Sequence, residues 1–156
     1  MGGSVVSGII YIHAISPERM RGSHKDGFEI LQKLCGPDTY SRIFLATSWW
    51  NICEEKKGLQ REGDLRKKIW VSVLDCPNSG HMSRLENSPT SAWELVKTIL
   101  ESVKWSGRNG EALRVQKQMV DERKKLQKTD VGQVVNLKGT KKADPWIMKL
   151  KQLMIH

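Results

Sequence analysis

The chain is poor in the residues that build covalent or metal-held scaffolds. Of its 156 residues, three are cysteine and four are histidine. Cys35, Cys53 and Cys76 fit no zinc spacing, and an odd count argues against a disulfide framework. They read as free thiols of a reducing compartment. His13, His24, His81 and His156 include no pair at metal-ligand spacing on a helix. No run of about 18 apolar residues occurs, so no membrane-spanning helix is expected. The opening Met1-Gly2-Gly3-Ser4-Val5-Val6-Ser7 has neither the basic start nor the long apolar core of a secretory signal. Gly2 invites an acylation reading, but Val6 stands where a Ser or Thr is required. An intracellular, cytoplasmic location is the expectation. Gly-x-Ser-x-Gly is absent, and no Ser/His/Asp arrangement stands out.

What is present is an ordinary globular composition, 38% hydrophobic and 28% charged. The net charge of +9 is unevenly placed. Residues 1–103 hold 13 basic and 12 acidic residues, whereas residues 104–156 hold 13 and 5. The globular part is nearly neutral and the tail is basic. Two segments are expected, residues 1–106 and a basic helical tail over 107–156, with Gly107-Arg108-Asn109-Gly110 as a hinge.

Val5 to Ile15 is short, apolar and β-branched, and reads as a strand buried on both faces. A helix follows with Phe28, Leu31, Leu34 and Cys35 on one face, stopped by Gly36-Pro37. Ile43 to Thr47 forms a second strand. After a polar loop, Asp64 opens a helix with Leu65, Ile69, Trp70 and Val73 inward. Met82 to Leu85 makes a third, short strand. Ser88-Pro89 is an N-cap and first-turn pair, and its helix turns Trp93, Val96, Leu100 and Val103 to the core. Glu111 to Leu126 has helical composition, with Ala112, Val115 and Met119 on one stripe. Val131 to Lys142 shows no period, and Asp144-Pro145 starts a last amphipathic helix. Strands alternating with helices imply α/β architecture: a partial, three-layer doubly wound parallel sheet of about three strands.

The sequence lacks the apparatus of phosphate chemistry. Gly22-Ser23-His24-Lys25-Asp26-Gly27 has the glycine spacing of a phosphate loop, but Phe28-Glu29 follows where Lys-Ser/Thr is needed. Glu54-Glu55 and Asp121-Glu122 read as solvated faces. More informative is Ser48-Trp49-Trp50-Asn51, at the carboxyl end of the second strand, where open α/β sheets bind ligands. Tryptophan faces there suit a flat base. The plainer alternative packs Trp50 on the following helix and leaves Trp49 a chance neighbour.

Several stretches resemble a known family. They are Gly8-Ile9-Ile10-Tyr11-Ile12-His13-Ala14-Ile15-Ser16, Arg19-Met20-Arg21-Gly22-Ser23, Leu34-Cys35-Gly36 and Leu45-Ala46-Thr47-Ser48-Trp49-Trp50-Asn51. Ser88-Pro89-Thr90-Ser91-Ala92-Trp93 and Val115-Gln116-Lys117-Gln118-Met119-Val120-Asp121-Glu122 extend the likeness. In this order they resemble the second half of the G domain of fungal P-loop GTPases, distant relatives of immunity-associated and septin-type GTPases, over residues 5 to 135. The resemblance implies that Ser48, Trp49, Trp50 and Asn51 match the guanine-specificity motif. Its last residue is ordinarily an Asp that accepts two hydrogen bonds, whereas the amide of Asn51 offers one acceptor and one donor. Asn87 and Ser88, in the loop Glu86-Asn87-Ser88, match the second base-contacting loop.

The family's phosphate loop, magnesium threonine and Asp-x-x-Gly element all precede the matched region. GTP and magnesium are cofactors of the intact family, and neither is expected on this chain alone. The expectation is a truncated G-domain protein that keeps the guanine end of its site, binds GTP or GDP very weakly or not at all, and does not hydrolyse GTP. Two alternatives stand beside it. The chain could be part of a full GTP-hydrolysing protein, or an interaction module acting through its basic amphipathic tail. A protein partner or self-association through Val5–Ile15 or the tail fits either reading. No RNA-binding motif supports a nucleic-acid partner.

Overall fold

In a computed structural model, residues 6–16, 24–76, 81–106 and 112–138 are described. The chain is α/β, with a three-stranded parallel sheet and several helices. It divides into two compact units. One combines Met1–Arg21 with Asp38–Glu111, and the other combines Gly22–Pro37 with Ala112–His156.

The first unit holds the sheet. Strand β1 (Ile9–Ala14), β2 (Ile43–Ser48) and β3 (Met82–Arg84) lie in the order β1-β2-β3. Ile9 aligns with Ile43 and Ala14 with Ser48, while Leu45 aligns with Met82 and Thr47 with Arg84. β2 is central, and all six of its residues are buried. That is how a parallel strand flanked on both sides should read: a continuous apolar run. β1 departs from the expectation of burial on both faces. Among the described residues it pairs with β2 alone, and Ile10 and Ile12 are 38% and 54% exposed. Its inward residues are the alternate ones, such as His13.

The helices of this unit differ from the sequence reading in two places. The segment after β2 is not a loop: α2 runs Glu55–Asp64, so Asp64 ends a helix instead of opening one. A π-helical turn, Leu65–Ile69, then leads into α3 (Val71–Leu74). The wider turn is closed by a bond from Trp70 N–H to the Leu65 carbonyl (2.8 Å), and it brings Leu65, Trp70 and Val73 to one buried side. Trp70 is fully buried and sits edge-on to Tyr11 (6.4 Å) and His13 (5.9 Å).

The other departure is the face of α4 (Pro89–Ser106). Its start is as expected, with Ser88 Oγ accepting from the Ser91 N–H at 3.2 Å. Leu95 and Ile99, however, pack on Phe44 and Ala46 of β2. Trp93 and Leu100, expected inward, are 70% and 55% exposed. Both stripes are apolar, and periodicity alone does not say which one meets the sheet. Trp105 lies near the end of α4, and its side chain is outside the described residues, as are the expected hinge and the Asp144 helix.

The second unit is helical: α1 (His24–Cys35), α5 (Arg114–Val120) and α6 (Asp130–Lys138). Phe28 and Cys35 are buried as expected, and Ile30 joins Val131 and Val135 in a small core. Burial pushes the Cys35 thiol up to about 12, which keeps it protonated and unreactive. α5 is shorter than the composition suggested, and Met119 is 44% exposed. α6 falls where no period was legible. Its start is made by Thr129, whose Oγ1 accepts from the Gly132 N–H at 3.1 Å. The buried Gln118 accepts from the Asp130 N–H at 3.0 Å and ties α5 to the same turn.

Two stability tests follow. Leu95→Ala should cost about 2–5 kcal/mol, whereas Trp93→Ser should stay within about 0.5 kcal/mol; the reverse order in urea denaturation would place the wrong face of α4 on the sheet. A Cβ on Gly132 would lie 1.9 Å from the Leu126 carbonyl oxygen. Gly132→Ala should therefore lower stability by about 1–3 kcal/mol, although alanine is the better helix former, and a stabilised variant would refute the close approach.

Candidate functional site

β2 delivers its last residues into a sharp change of direction. Ser48 is buried, and Trp49 adopts the left-handed conformation, with φ 63° and ψ 34°. For a residue other than glycine this costs about 1–2 kcal/mol. A single 3-10 turn, Trp50–Ile52, follows and is closed by the Cys53 N–H on the Trp50 carbonyl (3.2 Å).

Four side chains from four elements fix that turn. Trp50 Nε1 donates to Thr47 Oγ1 at 3.0 Å, and Thr47 Oγ1 donates to Glu62 Oε1 at 3.0 Å. Arg84 closes on Glu62 through Nε, 3.1 Å from both carboxylate oxygens, and through Nη2. Its guanidinium also lies 4.1 Å above the Trp50 ring. The circuit runs from the end of β2 through α2 to the end of β3 and back to the loop. The hydrogen bond to Glu62 is the main reason the Arg84 pKa lies above its ordinary value. Trp50 can reach this position because Gly58 has no side chain: a Cβ there would stand 2.8 Å from Trp50 Cζ3. The end of β1 is held nearby. The Ile15 N–H donates to the Ser48 carbonyl (2.9 Å), and Arg61 Nη1 donates to the Ile15 carbonyl (3.0 Å).

Beyond this frame lies a cavity of about 240 Å³. Ser48, Trp49, Asn51 and Asn87 line it, together with Ile12, Leu85 and Glu86. The lining comes from the carboxyl-end regions of all three parallel strands, the place where open α/β sheets take ligands. Of the six residues expected from the sequence, these four meet in one cavity. Trp50 does not: it packs against α2 and under Arg84. Ser88 does not either, being the cap of α4.

The polar groups at the cavity are mostly unspent. Ser48 Oγ is engaged with the His13 carbonyl at 3.4 Å. In the loop, the Glu86 N–H donates to Ser91 Oγ (2.9 Å) and the Ser88 N–H to the Glu86 carbonyl (2.8 Å). The side-chain amides of Asn51 and Asn87 have no protein partner among the described residues. The cavity therefore offers an indole wall, aliphatic contacts from Ile12 and Leu85, two amides and one carboxylate. Among the described residues none that lines it is a cation. Among the described residues no group of three or more His, Cys, Asp or Glu could hold a metal ion.

No family model, curated protein or solved structure matches the chain.

The sequence reading named Glu86 only as part of the loop Glu86-Asn87-Ser88, missed Ile12 and Leu85 as lining residues, and missed the whole Thr47–Glu62–Arg84 connection. Leu85 could have been found from its place just after the third strand. Glu62 and Arg84, 22 residues apart, left no such signal. Coupling within the circuit is measurable. Thr47→Val and Glu62→Gln should each cost about 1–2 kcal/mol. The double variant should fall short of their sum by about 0.5 kcal/mol or more, and strict additivity in chemical denaturation would show that the two side chains do not act together.

Proposed function

We propose that the sheet unit is the base-binding end of a G-domain-type fold, of doubly wound three-layer form, and that this chain alone binds a nucleobase without hydrolysing GTP. The observation that supports the reading best is the cavity. Its lining joins Ser48, Trp49 and Asn51 to Asn87, two loops that are distant in sequence and that the G-domain resemblance assigns to one base. Its chemistry suits the task. An indole face stacks on any base, amides bond a base edge in its plane, and the volume lies just below the roughly 300–1,000 Å³ of drug-sized pockets. A single planar heterocycle fits that space better than a whole nucleotide.

The strain at Trp49 supports a ligand role too. A left-handed tryptophan is retained where glycine would be easier, and such outliers gather at binding sites. The expected affinity is low. Stacking contributes about 1–3 kcal/mol and each neutral hydrogen bond about 1 kcal/mol, which together correspond to dissociation constants of about 1 mM. The resemblance places phosphate and magnesium ligands on segments that none of these residues matches, so no residue here is assigned a hydrolytic role.

The decisive experiment is a titration of the 156-residue chain with Mg-GTP, Mg-GDP and ATP, followed through the indole N–H resonance of Trp49 and by phosphate release. The expected result is a shift of Trp49 only in the millimolar range, with no phosphate released. Asn51→Ala should weaken the response of the Trp49 resonance several-fold, by about the 1 kcal/mol of one hydrogen bond, and Trp49→Gly should leave stability unchanged or raised by up to about 1 kcal/mol. Micromolar binding with turnover would overturn the proposal, and so would a Trp49 resonance that no nucleotide moves.

A further inference from the structure

Resting on that base-binding reading, we infer that the cavity selects uncharged ligands: its occupant is a free nucleobase or nucleoside, and added phosphates weaken binding instead of strengthening it. The inference comes from the charges at the cavity. Among the described residues the lining holds two neutral amides, one hydroxyl and three apolar side chains, and the one ionisable group among them is the carboxylate of Glu86. A phosphate gains most from backbone N–H groups, Lys or Arg. Here the loop N–H groups of Glu86 and Ser88 are already spent on Ser91 Oγ and the Glu86 carbonyl. Arg84, the cation at the end of β3, is tied to both oxygens of Glu62 and lies over Trp50, outside the lining. Lys57 of α2 is paired with Glu54 at 2.6 Å. A phosphate extending from a base in this cavity therefore meets Glu86 without a lining cation to compensate.

The size of the effect is modest. Two like charges about 8 Å apart in a water-like medium repel enough to change affinity about two- to threefold. The dissociation constants of guanosine, GMP, GDP and GTP, read from the Trp49 indole resonance at one ionic strength, should rise along that series. Glu86→Gln should lower the ratio of the GTP to the guanosine dissociation constant by about two- to threefold. Affinity that instead tightens tenfold from guanosine to GTP would overturn the inference and leave the base reading standing. A rising series that Glu86→Gln leaves untouched would overturn the role of the carboxylate. If no member of the series moves the Trp49 resonance, both readings fall together.

Discussion

The Glu62 carboxylate is the constraint on which the strand-end geometry depends. It accepts from Thr47 and from Arg84, and so joins the last turns of two strands to α2. Thr47 is fully buried, and its hydroxyl needs both a donor and an acceptor to be satisfied there. Trp50 supplies the donor and Glu62 the acceptor. Removing the carboxylate would thus strand a buried hydroxyl on one side and leave Arg84 without its main partner on the other. A network of this kind specifies one arrangement because partial satisfaction is worse than none.

That arrangement explains the conformation of Trp49. With the strand fixed through Ser48 and Trp50 drawn under Arg84, one residue is left to reverse the chain. The left-handed conformation is the compact way to do it, and the circuit on either side offsets the strain. The consequence is that the two tryptophans part company. Trp50 becomes structural and Trp49 is turned to the cavity. Adjacent identical residues therefore have different surroundings, set by the pairing of their neighbours and not by their own chemistry.

Much of the fold could be read from local pattern. The run Ile43–Ala46 is apolar throughout, as suits a strand with neighbours on both sides, and Ser88-Pro89 marks a helix start by its own hydrogen bonding. What escaped the pattern depended on partners remote in sequence. α2 begins Glu55-Lys56-Lys57-Gly58, which has no apolar period; its buried contact is a glycine. α6 was hidden because its cap, Thr129, and its closest contact, Gly132 on Leu126, carry no hydrophobic signal. α4 offered two apolar stripes, and only the position of Phe44 and Ala46 decides between them. In the site, the local cluster Ser48-Trp49-Asn51 was legible, because three of its residues share one strand end. The Glu62–Arg84 pair was not, since nothing short of the folded sheet brings residues 62 and 84 together.

The two edges of the sheet are unequal, and the inequality has a physical meaning. β3 is three residues long and ends in Arg84, a charged and ion-paired side chain. Short length and charge are how sheets discourage further pairing. β1 is twice as long, has no Lys, Arg, Asp, Glu or Pro, and exposes Ile10 and Ile12. Ile10 and Ile12 thus give β1 an exposed aliphatic surface of the kind that favours a neighbour.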